Sequence, residues 1–248
     1  MGATPRDQRA GSVYHVTSRG NLRAPIFLSD DDRSRFLGLV ERAGHVDGLV
    51  CHAYCLMGNH YHLLIEMPRA NLAEAMHRIN RGHARQFNAT HAREGHVFER
   101  RYRSWIMRGT ERQMEAVRYI VRNPVRAGFC ESAEEWPWSS HRATVGLCPQ
   151  PPFLTLVAVH RWFGADGDAS AAYEAFVAAG VDAPNGPPPI EVAVGRGTIH
   201  EIATANREFG YSLREIAGHV GVSAATLSRR LRAETLVPGT GVSRCPGY

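Results

Sequence analysis

His60-Tyr61-His62 places two imidazoles two residues apart, directly after the turn signal Gly58-Asn59. On an extended strand, residues i and i+2 project from one face, close enough for both rings to share an ion. The spacing suits equally two packed rings bonded to backbone, and two ligands do not complete a metal site. Segment 111–123 supplies a candidate for a third. At about 100° per residue, Met114, Val117 and Val121 form an apolar stripe, Tyr119 falls roughly opposite it, and Asn123 stands one turn beyond Tyr119. Tyr119 is then either an ordinary surface aromatic or a hydroxyl presented for chemistry. A phenol has a pKa near ~10 and is a poor nucleophile at neutral pH.

Alternating segments would position these groups. Val13–Ser18 reads as a strand, and Ser29 followed by Asp30, Asp31 and Asp32 caps a helix carrying Phe36, Leu37, Leu39 and Val40. Leu49–Met57 and His60–Met67 are hairpin strands, Leu72–Asn88 an arginine-rich amphipathic helix and Val97–Met107 an extended run. Glu111–Arg122 is a helix stopped by Asn123-Pro124. The order β-α-β-β-α-β-α predicts an α+β fold, a ferredoxin-like split βαβ antiparallel sheet with packed helices. Cys51 and Cys55 share strand parity and fit buried positions; with His52 between them they form a second, weaker metal candidate.

The 248-residue chain is 44% hydrophobic and 21% charged, an ordinary globular composition, and no stretch approaches the ~20 apolar residues of a membrane span. The polar N-terminus and five cysteines without finger spacing predict a reduced, cytoplasmic protein. All 29 basic residues are arginine, and residues 69–126 hold 13 of them against five acids. A concentrated field of this kind suits phosphate contact, although solvated helix faces produce runs of the same sort. Arg100, Arg101 and Arg103, interleaved with Tyr102 and Trp105, are candidates for phosphate pairing and base stacking; Arg19 and Asn21 are weaker ones. Trp136 and Trp138 read as packing anchors.

Five ordered segments, VYHVTSRGN (13–21), MGNHYHLLIE (57–66), GHVFERRYRS (95–104), RYIVRNPVRAGF (118–129) and EEWPWSSHRA (134–143), together resemble the REP-associated tyrosine transposases. These belong to the single-tyrosine transposases named for their His-hydrophobic-His motif. The resemblance implies that His60 and His62 are metal ligands, that Asn123 completes the shell, and that Tyr119 is the nucleophile. It further implies Mg or Mn as cofactor, single-stranded or hairpin DNA as substrate, a 5′-phosphotyrosine intermediate and strand transfer rather than hydrolysis. Imidazole alone would favour Zn, Ni or Cu. Gly58 departs from the proline that many relatives carry before the Asn-His pair, a change in turn stiffness more than in chemistry. The implied protein is a monomer or homodimer without a membrane anchor. The rival readings are a DNA-binding regulator that has lost catalysis and a His-x-His metallohydrolase of small phosphoesters.

Residues 11–146 form the expected catalytic domain, 147–180 a helical extension and 181–195 a Pro/Gly-rich linker. Residues 196–235 form an expected small all-α domain. Within it, 212–234 reads as a helix-turn-helix: Ile216, Ala217 and Val220 are apolar, Gly221 allows the turn, Ser223 caps the next helix and Leu227 continues the core. Its exposed face would offer Arg229 and Arg230 to duplex DNA.

Overall fold

The turn at Gly58 and Asn59 joins two strands, β2 (Val50–Leu56) and β3 (His60–Met67), at the centre of the fold. In this computed structural model, which describes residues 8–164, 168–180, 198–199, 202 and 213–235, they belong to a four-stranded sheet. β1 (Ser12–Arg19) lies on the other side of β3, and β4 (Arg103–Ile106) forms the edge beyond β1, giving the order β2-β3-β1-β4 with every neighbour antiparallel. This is the split βαβ arrangement expected from the sequence.

Helix α1 (Asp30–Asp47) begins at Ser29, whose hydroxyl accepts the Asp32 amide while the Asp32 carboxylate accepts the Ser29 amide. Helix α2 (Leu72–Thr90) packs beside it, and together they cover one sheet face, where Tyr14, Val16, Tyr61, Leu63 and Ile65 are buried. The other face carries Val13, Ala53, Cys55 and Leu64 under α3 (Thr110–Val121). After α3 come the short turns α4 (Asn123–Arg126) and α5 (His141–Thr144), then α6 (Val157–Trp162) and α7 (Ala169–Ala178). The α7 residues Tyr173 and Val177 enter the same core. Trp136 Nε1 donates to Leu56 O at 3.2 Å and Leu56 N donates to Trp138 O at 2.8 Å, so both tryptophans anchor the β2 edge.

Three expectations need correction. The extended run of Val97–Met107 narrows to the four residues of β4; upstream, only the bridge between Gly20 and Phe98 is sheet-like. A bulge between Cys51 and Ala53 shifts β2 by one residue, so that Cys51 and Cys55 lie in the cores on opposite faces and share no site. His52 is bonded to Glu66 instead. Tyr119 is half-buried against the sheet-facing core, not set on a solvated helix face, because α3 buries most of its circumference, Arg118 included.

The second compact unit is described only in part. Helices α8 (Leu213–Val220) and α9 (Ala224–Thr235) meet around buried Ile216, Ala217 and Leu227. Gly221 turns between them at φ 70°, and Ser223 Oγ accepts the Thr226 amide at 3.1 Å. Arg229 and Arg230 are exposed on α9. The expected linker 181–195 and most of residues 196–212 of the expected all-α domain lie outside the described residues.

The Asp32 cap also yields a stability prediction. Burial raises the Asp32 pKa, but the amides of Leu28 and Ser29 and the His91 ring more than offset it, and the net shift is downward. A depressed folded-state value gives stability that is present above the unfolded pKa and lost as pH falls through the folded one. Asp32→Asn is therefore expected to lower stability by about 1–2 kcal/mol at pH 7. In urea unfolding, the gap from wild type should close as pH drops below about 4.

Candidate active site

β3 carries His60 and His62 on the face that α3 covers, and β1 places Thr17 and Arg19 opposite them: Thr17 pairs with His62 and Arg19 with His60. β1 can end there because residue 20 has no side chain. A Cβ on Gly20 would stand 2.0 Å from Ala24 O. Across the gap, α3 ends and Asn123 opens α4, with its side chain turned back to the sheet.

The Asn123 amide meets both rings. Its Oδ1 lies 3.2 Å from His60 Nε2, and its Nδ2 donates to His62 Nε2 at 3.1 Å. Behind these atoms each ring is held through its other nitrogen. His60 Nδ1 is 2.7 Å from Asn59 Oδ1, and His62 Nδ1 is 2.9 Å from His15 Nε2. The structure thus brings together the three expected ligands, His60, His62 and Asn123.

Burial dominates the electrostatics. It lowers the His60 pKa to about 4, with Arg19 and Arg126 adding to the effect while the Asn123 bond opposes it. Burial also lowers His15 to about 3 and takes His62 well below its usual range, in both cases with Arg126 contributing. All three rings are neutral at neutral pH. With the amide turned this way, neutral His60 has one ring proton for two facing oxygens, Asn59 Oδ1 and Asn123 Oδ1. Donation to the nearer one leaves a nitrogen lone pair opposed to the Asn123 oxygen. A cation relieves that opposition, so the donor set fits a divalent metal. Among the described residues no three His, Cys, Asp or Glu side chains could hold a metal, and the third donor here is an amide. Two nitrogens and one oxygen would leave the remaining positions around such an ion to water or phosphate oxygens.

Tyr119 sits against this group. Its ring centroid is 5.6 Å from that of His62 and 5.7 Å from that of His15, edge-on to each, and the Arg126 guanidinium lies 3.7 Å from the Tyr119 centroid. His15 and Arg126 were not singled out in the sequence. Parity could have found His15, which shares a strand face with Thr17 and Arg19. Arg126 faces Tyr119 because only one residue, Arg122, separates α3 from α4.

The other candidates divide by exposure. Arg19, Asn21, Arg100 and Arg101 are exposed, and Arg100 is paired to Glu99 at 2.8 Å. Arg103 is half-buried and pairs with Thr17 across β1 and β4, which puts it on the His62 face. Trp105 is buried beside His15, with centroids 5.4 Å apart, and packs the site rather than facing solvent. Tyr102 is buried with the α1–α2 core.

Comparison with known proteins places this geometry in context. The family described as "Transposase IS200 like" matches residues 9–123. A protein of Haemophilus influenzae described as a REP-associated tyrosine transposase is 31% identical over 156 residues, spanning 55% of this chain and 84% of the relative. A solved structure of a REP-associated tyrosine transposase bound to a REP hairpin has a TM-score of 0.51 at 17% identity, covering 62% of this chain and 92% of that one. At that identity the likeness concerns the fold. No helix among the described residues is long and apolar enough to cross a membrane.

Proposed function

From the premise that this chain belongs to the REP-associated tyrosine transposases, a family of DNA-transposing enzymes, we propose that it cleaves and rejoins single-stranded DNA through a phosphotyrosine on Tyr119. The observation that carries the reading is the position of that ring, 5.6 Å from His62 and beside the His60–His62–Asn123 donor group. Tyr119 and the donors come from one chain, so the reading needs no second copy.

The Tyr119 oxygen attacks the scissile phosphorus, loses its proton to solvent, and forms a phosphorus–oxygen bond. The bond from phosphorus to the 3′ oxygen breaks, and that oxygen leaves as a 3′-hydroxyl after taking a proton. A second 3′-hydroxyl reverses the step onto a new strand without an energy source, because the phosphotyrosine conserves the bond. His60, His62 and Asn123 would hold Mg or Mn, which when bound polarises the phosphate and offsets the charge developing on it. His15 fixes the His62 ring from behind. Arg126 holds the Tyr119 ring by a cation–π contact and places positive charge beside the attacked phosphate. Arg19 and Arg103 lie on the site's own face and suit the phosphates next to the cleaved bond; Asn21, Arg100 and Arg101 extend that track.

The solved relative is bound to a REP hairpin, and for this chain a hairpin flanked by single strands is the substrate we favour. Residues 11–146 would be the catalytic domain, 147–180 its helical extension, 181–195 a linker and 196–235 a helix-turn-helix. Exposed Arg229 and Arg230 would meet duplex DNA there.

The test is a labelled hairpin oligonucleotide with single-stranded flanks, incubated with Mn or Mg and run on a denaturing gel. A protein–DNA adduct that survives denaturant and disappears with EDTA is expected. Binding without an adduct would leave a regulator, and cleavage without an adduct a hydrolase; either overturns the reading. A further expectation concerns His15. His15→Leu removes the partner of His62 Nδ1 and is expected to weaken Mn affinity by roughly 10–100-fold in calorimetric titration.

A further inference from the structure

Two residues of the candidate site each follow an arginine: Arg118 precedes Tyr119, and Arg122 precedes Asn123. Arg122 N donates to Arg118 O at 3.0 Å, so the helical phase of α3 persists through its C-cap. Residues four apart share a helix face, and consecutive residues stand about 100° apart. Tyr119 and Asn123 look onto the imidazoles, while Arg118 and Arg122 form the neighbouring face. That face meets α7.

Both arginines are committed there. Buried Arg118 is ion-paired with Glu115, and its guanidinium lies 4.2 Å from the centroid of Phe176 on α7. Arg122 Nη1 donates at 3.1 Å to Val177 O, a last-turn carbonyl that α7 leaves without a helical partner. Gly180, at φ 62°, permits the close approach: a Cβ there would stand 3.1 Å from Arg122 Nη2. α7 is itself fixed to α5. The hydroxyl of buried Tyr173 is 3.1 Å from His141 Nδ1, and Ser170 Oγ donates to Thr144 O at 3.2 Å. Ser140, which caps α5, donates its amide to Tyr54 O of β2 at 3.0 Å, and β2 pairs with β3. Contacts thus run from the strand carrying His60 and His62 through β2, α5 and α7 to the helix carrying Tyr119.

We propose that α7 clamps the rotation of α3, with Arg118 and Arg122 as positioning residues for Tyr119 and Asn123. The clamp rests on the reading of Tyr119 as the nucleophile and extends it: the helical extension belongs to the catalytic unit. Turning α3 about its axis swings Tyr119 and Asn123 together away from the imidazoles, and Arg118 and Arg122 resist that turn from the adjacent face. A misplacement of about 1 Å costs on the order of a hundredfold in rate, so such a hold matters to the chemistry more than to the fold.

The test follows single-turnover adduct formation by the full chain at saturating hairpin oligonucleotide and Mn, with binding of the same oligonucleotide measured in EDTA. Arg122→Met removes the donor to Val177 O and should slow adduct formation roughly ten- to a hundredfold while binding stays within about twofold. Arg122→Lys keeps a donor and should recover most of the rate. A folded Arg122→Met protein with the wild-type rate overturns the clamp, and so do equal losses of rate and binding, which a merely loosened fold gives. Where Arg122→Met does not fold, Phe176→Leu decides, since it keeps apolar bulk beside Arg118 and removes only the ring face. The full chain is labelled with 3-fluorotyrosine, and the Tyr119 fluorine line is identified by its absence in Tyr119→Phe. Phe176→Leu should move or broaden that line in the protein free of DNA and metal; an unchanged line sinks the proposal. The fluorine readout needs no chemistry, so a wild type that forms no adduct removes the nucleophile reading while the hold on the ring is still judged. Adducts that form while neither readout moves leave the nucleophile standing and remove the clamp.

Discussion

Tyr119→Phe should abolish the covalent DNA adduct, with strand transfer falling on the order of a thousand-fold or more, while single-strand binding stays near wild type. The substitution is clean because of how the ring is held. Its edge contacts to His15 and His62, the Arg126 guanidinium at 3.7 Å and its packing against the core all involve the ring, not the hydroxyl. Phenylalanine keeps each of these and removes only the oxygen that would bond to phosphorus. Thermal stability should therefore shift little. Adduct formed at the wild-type rate by this variant would remove Tyr119 from the chemistry, and another hydroxyl would have to be sought. Arg126→Gln makes a useful companion. It keeps Tyr119 but loses the cation over its ring, so it should slow adduct formation partially rather than abolish it.

The sheet was legible because its signals are local. Gly58-Asn59 marks the hairpin, Ser29 with three aspartates marks the start of α1, and parity puts His60 and His62 on one face. What escaped was set by tertiary contacts. The bulge beside His52 inverts the parity of β2, and no turn residue announces it. Tyr119 looks solvent-facing on a helical wheel because the wheel assumes one buried stripe, whereas α3 lies between the sheet and the α6–α7 helices and is covered on more than one side. His15 gained its place only when β1 paired with β3 in the register that sets Thr17 against His62. A single sequence does not print that register. The pairing of Arg100 to Glu99 was likewise hidden, because the sequence could not orient that neighbouring side chain.

His60→Ala is the variant that separates a metal site from a pair of packed imidazoles. His60 is the less buried of the two rings and touches only the Asn59 and Asn123 side chains among its hydrogen-bond partners. Its loss should therefore cost the fold little. His62 is a poorer choice, since removing it would strand His15 Nε2 and the Asn123 amide in a buried place. If the rings hold a cation, His60→Ala deletes one of three protein donors, and Mn affinity should drop by roughly 100-fold or more, above the cost of disturbing an outer partner such as His15. Adduct formation should fall with it and recover in part as Mn is raised, because water can take the vacated position at a cost in affinity. If the rings merely pack, metal affinity would be weak in wild type and unchanged in the variant, and any loss would appear in thermal unfolding. Measuring Mn binding and the unfolding midpoint on the same preparations separates the two. A variant with normal Mn affinity and a lowered midpoint would mean that the Asn123 amide bridges two structural histidines and nothing more.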